Sequence, residues 1–154
     1  MTTLRIYDYR DGALALDLRD LIDLLAPRSL EARWMVSPVT LIDPRLGSSF
    51  EEFMTVESGR LDEDTLEQLA VSKSAVNGIA LSEAAHATHQ VIWGQFVGML
   101  PEQKEDPWVV IRAIDSTFYE VTSADEAVLA TIRSAYKDVR AAPGPVTSIP
   151  IGQV

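Results

Sequence analysis

The chain has 154 residues, no cysteine and a net charge of −10, with 47% hydrophobic and 23% charged residues. These figures fit one globular domain large enough to bury a core; they exclude disulfides and thiolate catalysis and leave zinc only His and carboxylate ligands. A surface this acidic repels phosphate backbones, so nucleic acid is not an expected partner. No stretch approaches the roughly 20 apolar residues of a membrane span, and Met1 to Arg5 opens without a signal-peptide core, so the expected location is cytoplasmic.

Taken in order, Leu4 to Tyr9 alternates as a strand does, and Asp11-Gly12 suits a tight turn. The chain then turns at Asp17 into a short helix, Leu18 to Leu25, with Asp17 as N-cap, Asp20 near the N-terminus and Pro27 as the stop. Residues 30–37 place Leu30, Ala32, Trp34 and Val36 on one face, which predicts a half-buried strand that Val39 to Ile42 extends past Pro38. Ser49 and Glu52 have capping-box spacing, so residues 50–56 are expected as a short helix, with a strand as the alternative. Asp62 or Asp64 is expected to cap a helix over 62–76, ended by Asn77-Gly78.

Residues 79–90 read either as a helix from Ser82 or as a strand running into the next element. Residues 91–100 and 108–121 are rich in β-branched and aromatic residues, and a short polar connection joins them as an antiparallel pair. Gly94 and Gly98 share one face of the first strand and leave room for a close neighbour there. Asp115, Ser116 and Thr117 interrupt the second strand and read as a bulge or strand end, with a cleft-facing acid as the alternative. A helix over 125–139 carries Val128, Leu129, Ile132, Ala135, Tyr136 and Val139 on one stripe, with Ser123 as N-cap and Glu126 completing a capping box. The tail from 142 to 154 has three prolines and two glycines and reads as extended or flexible, with Val146, Ile149 and Ile151 as tethers.

The expected architecture is therefore one α+β domain over residues 1–141. Its antiparallel sheet has strands near 4–9, 30–37, 91–100 and 108–121, covered by helices near 62–76 and 125–139.

The chemistry-bearing residues are few. Glu83, His86 and His89 would share one face of a helix, and Glu-x-x-His is the unit that carboxylate-bridged metal bundles use, so these three are the candidate metal ligands. A strand would send residues three apart to opposite faces and dissolve the site. No Gly-x-Ser-x-Gly elbow and no phosphate-cradling glycine motif occurs, and no cofactor is expected. Residues 61–106 concentrate charge: Asp62, Glu63, Asp64, Glu67, Glu83, Glu102, Glu105 and Asp106 face only Lys73 and Lys104, a net −6.

The leading functional expectation is a non-catalytic protein-binding module. Its size and composition are those of small acidic proteins, such as immunity and antitoxin proteins, that occlude a basic partner, with Asp62, Glu63, Asp64 and Glu67 as the contact residues. The alternative is a small-ligand binder or enzyme with a site around Glu83, His86, His89 and Asp115. A homodimer is allowed, because Trp93 and Phe96 point to opposite faces of one strand and both need cover.

Overall fold

In the computed structural model, which describes residues 1–57, 65–103 and 105–148, the best-buried parts of the chain are the strands Val109–Ile114 and Phe118–Ser123. Numbered in chain order, the strands are β1 (Thr2–Ile6), β2 (Tyr9–Arg10), β3 (Ala13–Leu14), β4 (Arg33–Ser37), β5 (Val39–Asp43), β6 (Ser48–Glu52), β7 (Met54–Glu57), β8 (Val76–Asn77), β9 (Thr88–Met99), β10 (Val109–Ile114), β11 (Phe118–Ser123) and β12 (Val139–Ala142). The helices are α1 (Leu18–Leu24), α2 (Arg28–Glu31), α3 (Leu66–Ser72), α4 (Gly78–His86) and α5 (Glu126–Ala135). The main sheet runs β12-β1-β11-β10-β9-β4-β8, with β7 also paired to β9, and every pairing in it is antiparallel. The protein is a single compact α+β domain.

Local chemistry explains the first helix. Asp17 caps α1, and the Asp20 side chain returns to the Asp17 N–H at 2.7 Å, a reciprocal cap. Leu18, Leu21 and Ile22 are then buried in the larger core. Helix α5 likewise buries Val128, Leu129 and Ile132, yet its N-cap is Asp125, and it ends at Ala135, so Val139 leaves the stripe and joins β12. Ser123 instead donates to the Trp108 carbonyl at 2.6 Å and accepts from the Asp125 N–H at 3.0 Å. Of the expected helix over 62–76, α3 covers Leu66–Ser72, capped by Thr65 with Gln68 returning, and Val76 belongs to β8; Asp62 and Asp64, expected as caps, lie outside the described residues.

Several expectations need correction. The run 108–121 is two strands, β10 and β11, which fold back on each other at Asp115-Ser116. Both central residues of that turn have positive φ, 52° and 57°, as a type I′ hairpin turn requires, and the Thr117 N–H closes it onto the Ile114 carbonyl. The capping-box spacing at Ser49 and Glu52 does not give a helix: 48–57 forms β6 and β7. Strand β5 parts from β4 at Pro38 and pairs with β6 as a separate ribbon. The expected strand 30–37 begins only at Arg33, because Leu30 and Glu31 close the short helix α2, and the expected strand 4–9 stops at Ile6. Residues 79–90 are helix to His86 and strand from Thr88; Asn77 caps α4 instead of ending α3.

Two cores result. The larger lies between the sheet and α1 to α5, with Trp34, Phe96, Tyr119, Leu4 and Ile6 among its fully buried residues. The smaller lies on the other face, where the β5–β6 ribbon sets Val39 and Leu41 against Trp93, Ile114 and Phe118. Trp93 is covered by Phe50 of the ribbon and Phe96 by Phe53, so both aromatics find cover within one chain and the argument for a dimer from their exposure falls. The space over Gly94 and Gly98 is filled by aromatic rings: a Cβ on Gly98 would lie 2.9 Å from Trp34, and one on Gly94 3.0 Å from Phe96.

The tail also departs from expectation in part. After β12 pairs with β1, residues 144–148 run as a strap beside the ribbon, where the Ile42 N–H donates to the Thr147 carbonyl at 2.9 Å and Ile42 bridges Ser148 in parallel. Val146 is the tether, packed on the smaller core; Ile149 and Ile151 lie outside the described residues.

Candidate functional site

The sheet's ribbon-side face carries a row of polar side chains fixed by strand register. Ser37 of β4 pairs with Gln95 of β9, Gln95 with Arg112 of β10, Arg112 with Glu120 of β11, Glu120 with Arg5 of β1, and Arg5 with Arg140 of β12. Side chains directly opposite one another on paired strands share a face and touch, so six residues scattered from position 5 to position 140 become one line.

At the centre of the line sits a buried ion cluster. Glu120 is fully buried. Its Oε1 accepts from Arg112 Nη1 at 2.9 Å, and its Oε2 accepts from Arg5 Nε at 3.2 Å and from the Val146 N–H at 3.0 Å. Arg112 Nη1 also donates to the Val146 carbonyl at 2.9 Å, so one residue of the strap is read through both its backbone groups. Two guanidinium groups thus face one carboxylate. Arg112, 5% exposed, keeps its Nε buried and without a hydrogen-bond partner among the described residues, an arrangement that costs about 1–3 kcal/mol where nothing compensates.

Beside Arg112 the face opens into a cavity of about 560 Å³. The sheet supplies Val110, Arg112 and Thr122 to its floor, the ribbon supplies Leu41 and Ile42, and the strap supplies Val146. The row next to the polar one is milder: Val97 pairs with Val110, Val110 with Thr122, and Thr122 shares a hydroxyl hydrogen bond of 2.9 Å with Thr3.

A second buried polar centre lies on the helix side. Asp17 Oδ1 accepts from the Leu18 N–H, the Val91 N–H and the Tyr119 hydroxyl, the last at 2.8 Å. Burial first, and then the Asp17 charge, push the Tyr119 hydroxyl well above the usual tyrosine range, so it remains a neutral donor. This centre joins α1, β9 and β11 and is enclosed by the core, which makes it a structural clasp.

The residues expected to carry chemistry are not brought together. Glu83 and His86 lie exposed on α4, and His86 Nε2 is 2.9 Å from Asp23 Oδ1 of α1. His89 lies beyond the helix end, exposed on β9, because the helix gives way to strand before it. Among the described residues no three His, Cys, Asp or Glu side chains gather as metal ligands would. Asp115 is an exposed turn residue. Of the acidic contact set, Glu67 is exposed on α3, where Thr55 donates to it at 3.4 Å, while Asp62, Glu63 and Asp64 lie outside the described residues. No helix among the described residues is long and apolar enough to cross a membrane.

Sequence reasoning missed Arg5, Arg112 and Glu120. The available signal was a charge in the middle of an apolar run: Arg112 within Val109–Ile114 and Glu120 within Phe118–Val121. No protein-family model, no curated protein and no solved structure matches the chain.

Proposed function

We propose that the protein is a non-catalytic binding module whose acidic surface docks a basic protein partner, occluding it as immunity and antitoxin proteins do. The observation that supports this reading is uncompensated surface charge. Among the described residues Glu67, Glu83, Glu105 and Asp106 are exposed and form no ion pair, and Glu102 of the same region pairs only with the half-exposed Arg28. Charges left unpaired at a surface contribute little to folding. They do raise the association rate with an oppositely charged surface, in a manner that salt suppresses.

The test is kinetic. A partner is captured by cross-linking at low salt and identified by mass spectrometry, and association is then followed by stopped flow across ionic strengths. Converting Asp62, Glu63, Asp64 and Glu67 together to their amides should slow association about tenfold at low salt and flatten its salt dependence. Association that is equally fast and equally salt-sensitive in the variant would rule out the electrostatic reading.

A further inference from the structure

We infer that the cavity beside Arg112 is a binding site for a small monoanion with an apolar body, a carboxylate on an aliphatic chain being the simplest case. Three observations converge on that class. The first is charge: Arg112, almost fully buried, and Arg5, with a quarter of its side chain exposed, share Glu120 as their one carboxylate, so one positive charge is left over in a largely buried cluster. An uncompensated charge in a largely buried cluster is costly, and a single carboxylate offsets it, whereas a phosphate dianion would bring a second charge with no cationic side chain besides Arg112 among the described residues that line the cavity. The second is the unpartnered Arg112 Nε, in a side chain more than nine-tenths buried that forms part of the cavity floor. The third is the wall. Leu41, Ile42, Val110 and Val146 make it mainly apolar, and about 560 Å³ falls within the range of small-ligand pockets, which are mostly hydrophobic with a few fixed polar groups.

The same geometry says how the carboxylate reaches the guanidinium. Arg112 Nη1 now donates to a neutral acceptor, the Val146 carbonyl, and the strap that carries Val146 forms one wall of the cavity. A carboxylate is the stronger acceptor for a guanidinium, so on binding it takes over from the Val146 carbonyl and engages Nε, while the strap moves outward. The strap is held to the ribbon through Ile42 and to the sheet through Glu120, so its displacement has a local signature at both places. This site is independent of the acidic surface and lies on the ribbon side of the sheet.

The probe is decanoate, titrated calorimetrically into the full chain, with decanol as the uncharged match. Saturable one-to-one binding is expected, at least about tenfold tighter for decanoate than for decanol, the step that a charged hydrogen bond provides. Hydrogen exchange should speed up at residues 143–148 and change at 39–43 in the decanoate complex. Two variants fill the cavity without replacing a residue of the ion cluster: Thr40→Trp at an exposed ribbon position, and Val110→Phe on the floor, each checked for native circular dichroism. Either one, when folded, should weaken decanoate at least tenfold. Absence of saturable binding overturns the inference, as does equal binding of decanol, undiminished binding by a folded filling variant, or exchange changes confined to other segments.

Discussion

Glu120→Gln isolates the charge of the buried cluster while keeping its shape. In the wild type three donors converge on two carboxylate oxygens: Arg112 Nη1 on Oε1, and Arg5 Nε and the Val146 N–H on Oε2. An amide has one acceptor oxygen. If that oxygen faces Arg112, the amide NH2 meets Arg5 and Val146; if the group flips, the NH2 meets Arg112. Either way at least one buried donor loses its acceptor, and two guanidinium charges lose their only buried counter-charge. Removing one partner of a buried ion pair costs about 3–5 kcal/mol, a large share of the roughly 5–15 kcal/mol that holds a domain of this size together. Urea denaturation followed by the fluorescence of the three tryptophans gives the loss directly. Amide exchange adds a local reading, because Val146 in the strap should exchange faster in the variant than in the wild type once its acceptor is gone, while β12 is unchanged. A loss below about 1 kcal/mol, with exchange at Val146 unchanged, would refute the view that the cluster is desolvated and pins the strap.

Three further outcomes follow from the same geometry. Gly98→Ala should cost about 1–3 kcal/mol in urea denaturation, since its Cβ would press on Trp34, which is fully buried and hydrogen-bonded to the Ser29 carbonyl, and Gly94→Ala should cost a similar amount, since its Cβ would press on the fully buried Phe96. Asp17→Ala should cost more than Tyr119→Phe by the same assay, because the first strands both the Val91 N–H and the Tyr119 hydroxyl, at about 1–3 kcal/mol each, and the second removes the hydroxyl together with its need for a partner. Burial first, and then the charges of Asp20 and Asp8, push the Tyr136 hydroxyl up to about 12. The unfolded chain therefore ionises this tyrosine first, near pH 10, and stability should fall as pH rises from about 10 to about 12. Tyr136→Phe should make that fall shallower, and an unchanged slope would contradict the assignment.

What the sequence disclosed is what local chemistry controls. The cap at Asp17 is written in Asp17 and Asp20, three residues apart, and the apolar stripe of α5 is written in Val128, Leu129 and Ile132. The strong β pattern of 91–100 and 108–121 gave the centre of the sheet. Local signals misled where a longer-range pairing outweighed them. Ser49 and Glu52 have the spacing of a helix start, yet residues 48–52 gain a full ladder with β5, from Val39–Glu52 to Asp43–Ser48. The turn at 115–116 was hidden for a different reason: hairpin turns with positive φ at both centres favour Asn-Gly or Asp-Gly, and Asp-Ser has no glycine to announce it.

That hidden turn also concealed the site. Read as one strand, 108–121 would put Arg112 and Glu120 on the same face but eight residues apart, about 26 Å at strand rise. Folded at 115–117, the same two residues become cross-strand partners with a 2.9 Å ion pair. The three-residue loop between Ile114 and Phe118 preserves the parity of the run, so the face assignment survives while the distance collapses. Arg5 and Arg140 then join through β1 and β12, which no pattern within β10 and β11 can reveal. A charge set midway along an apolar strand needs an opposite charge within reach, and here two such charges in adjacent runs, Arg112 and Glu120, satisfy each other only if the chain turns between them. Their presence in the sequence is thus itself evidence for the hairpin, independent of any turn residue. The second arginine, which that pairing leaves without a carboxylate of its own, is what sets the charge of the proposed ligand.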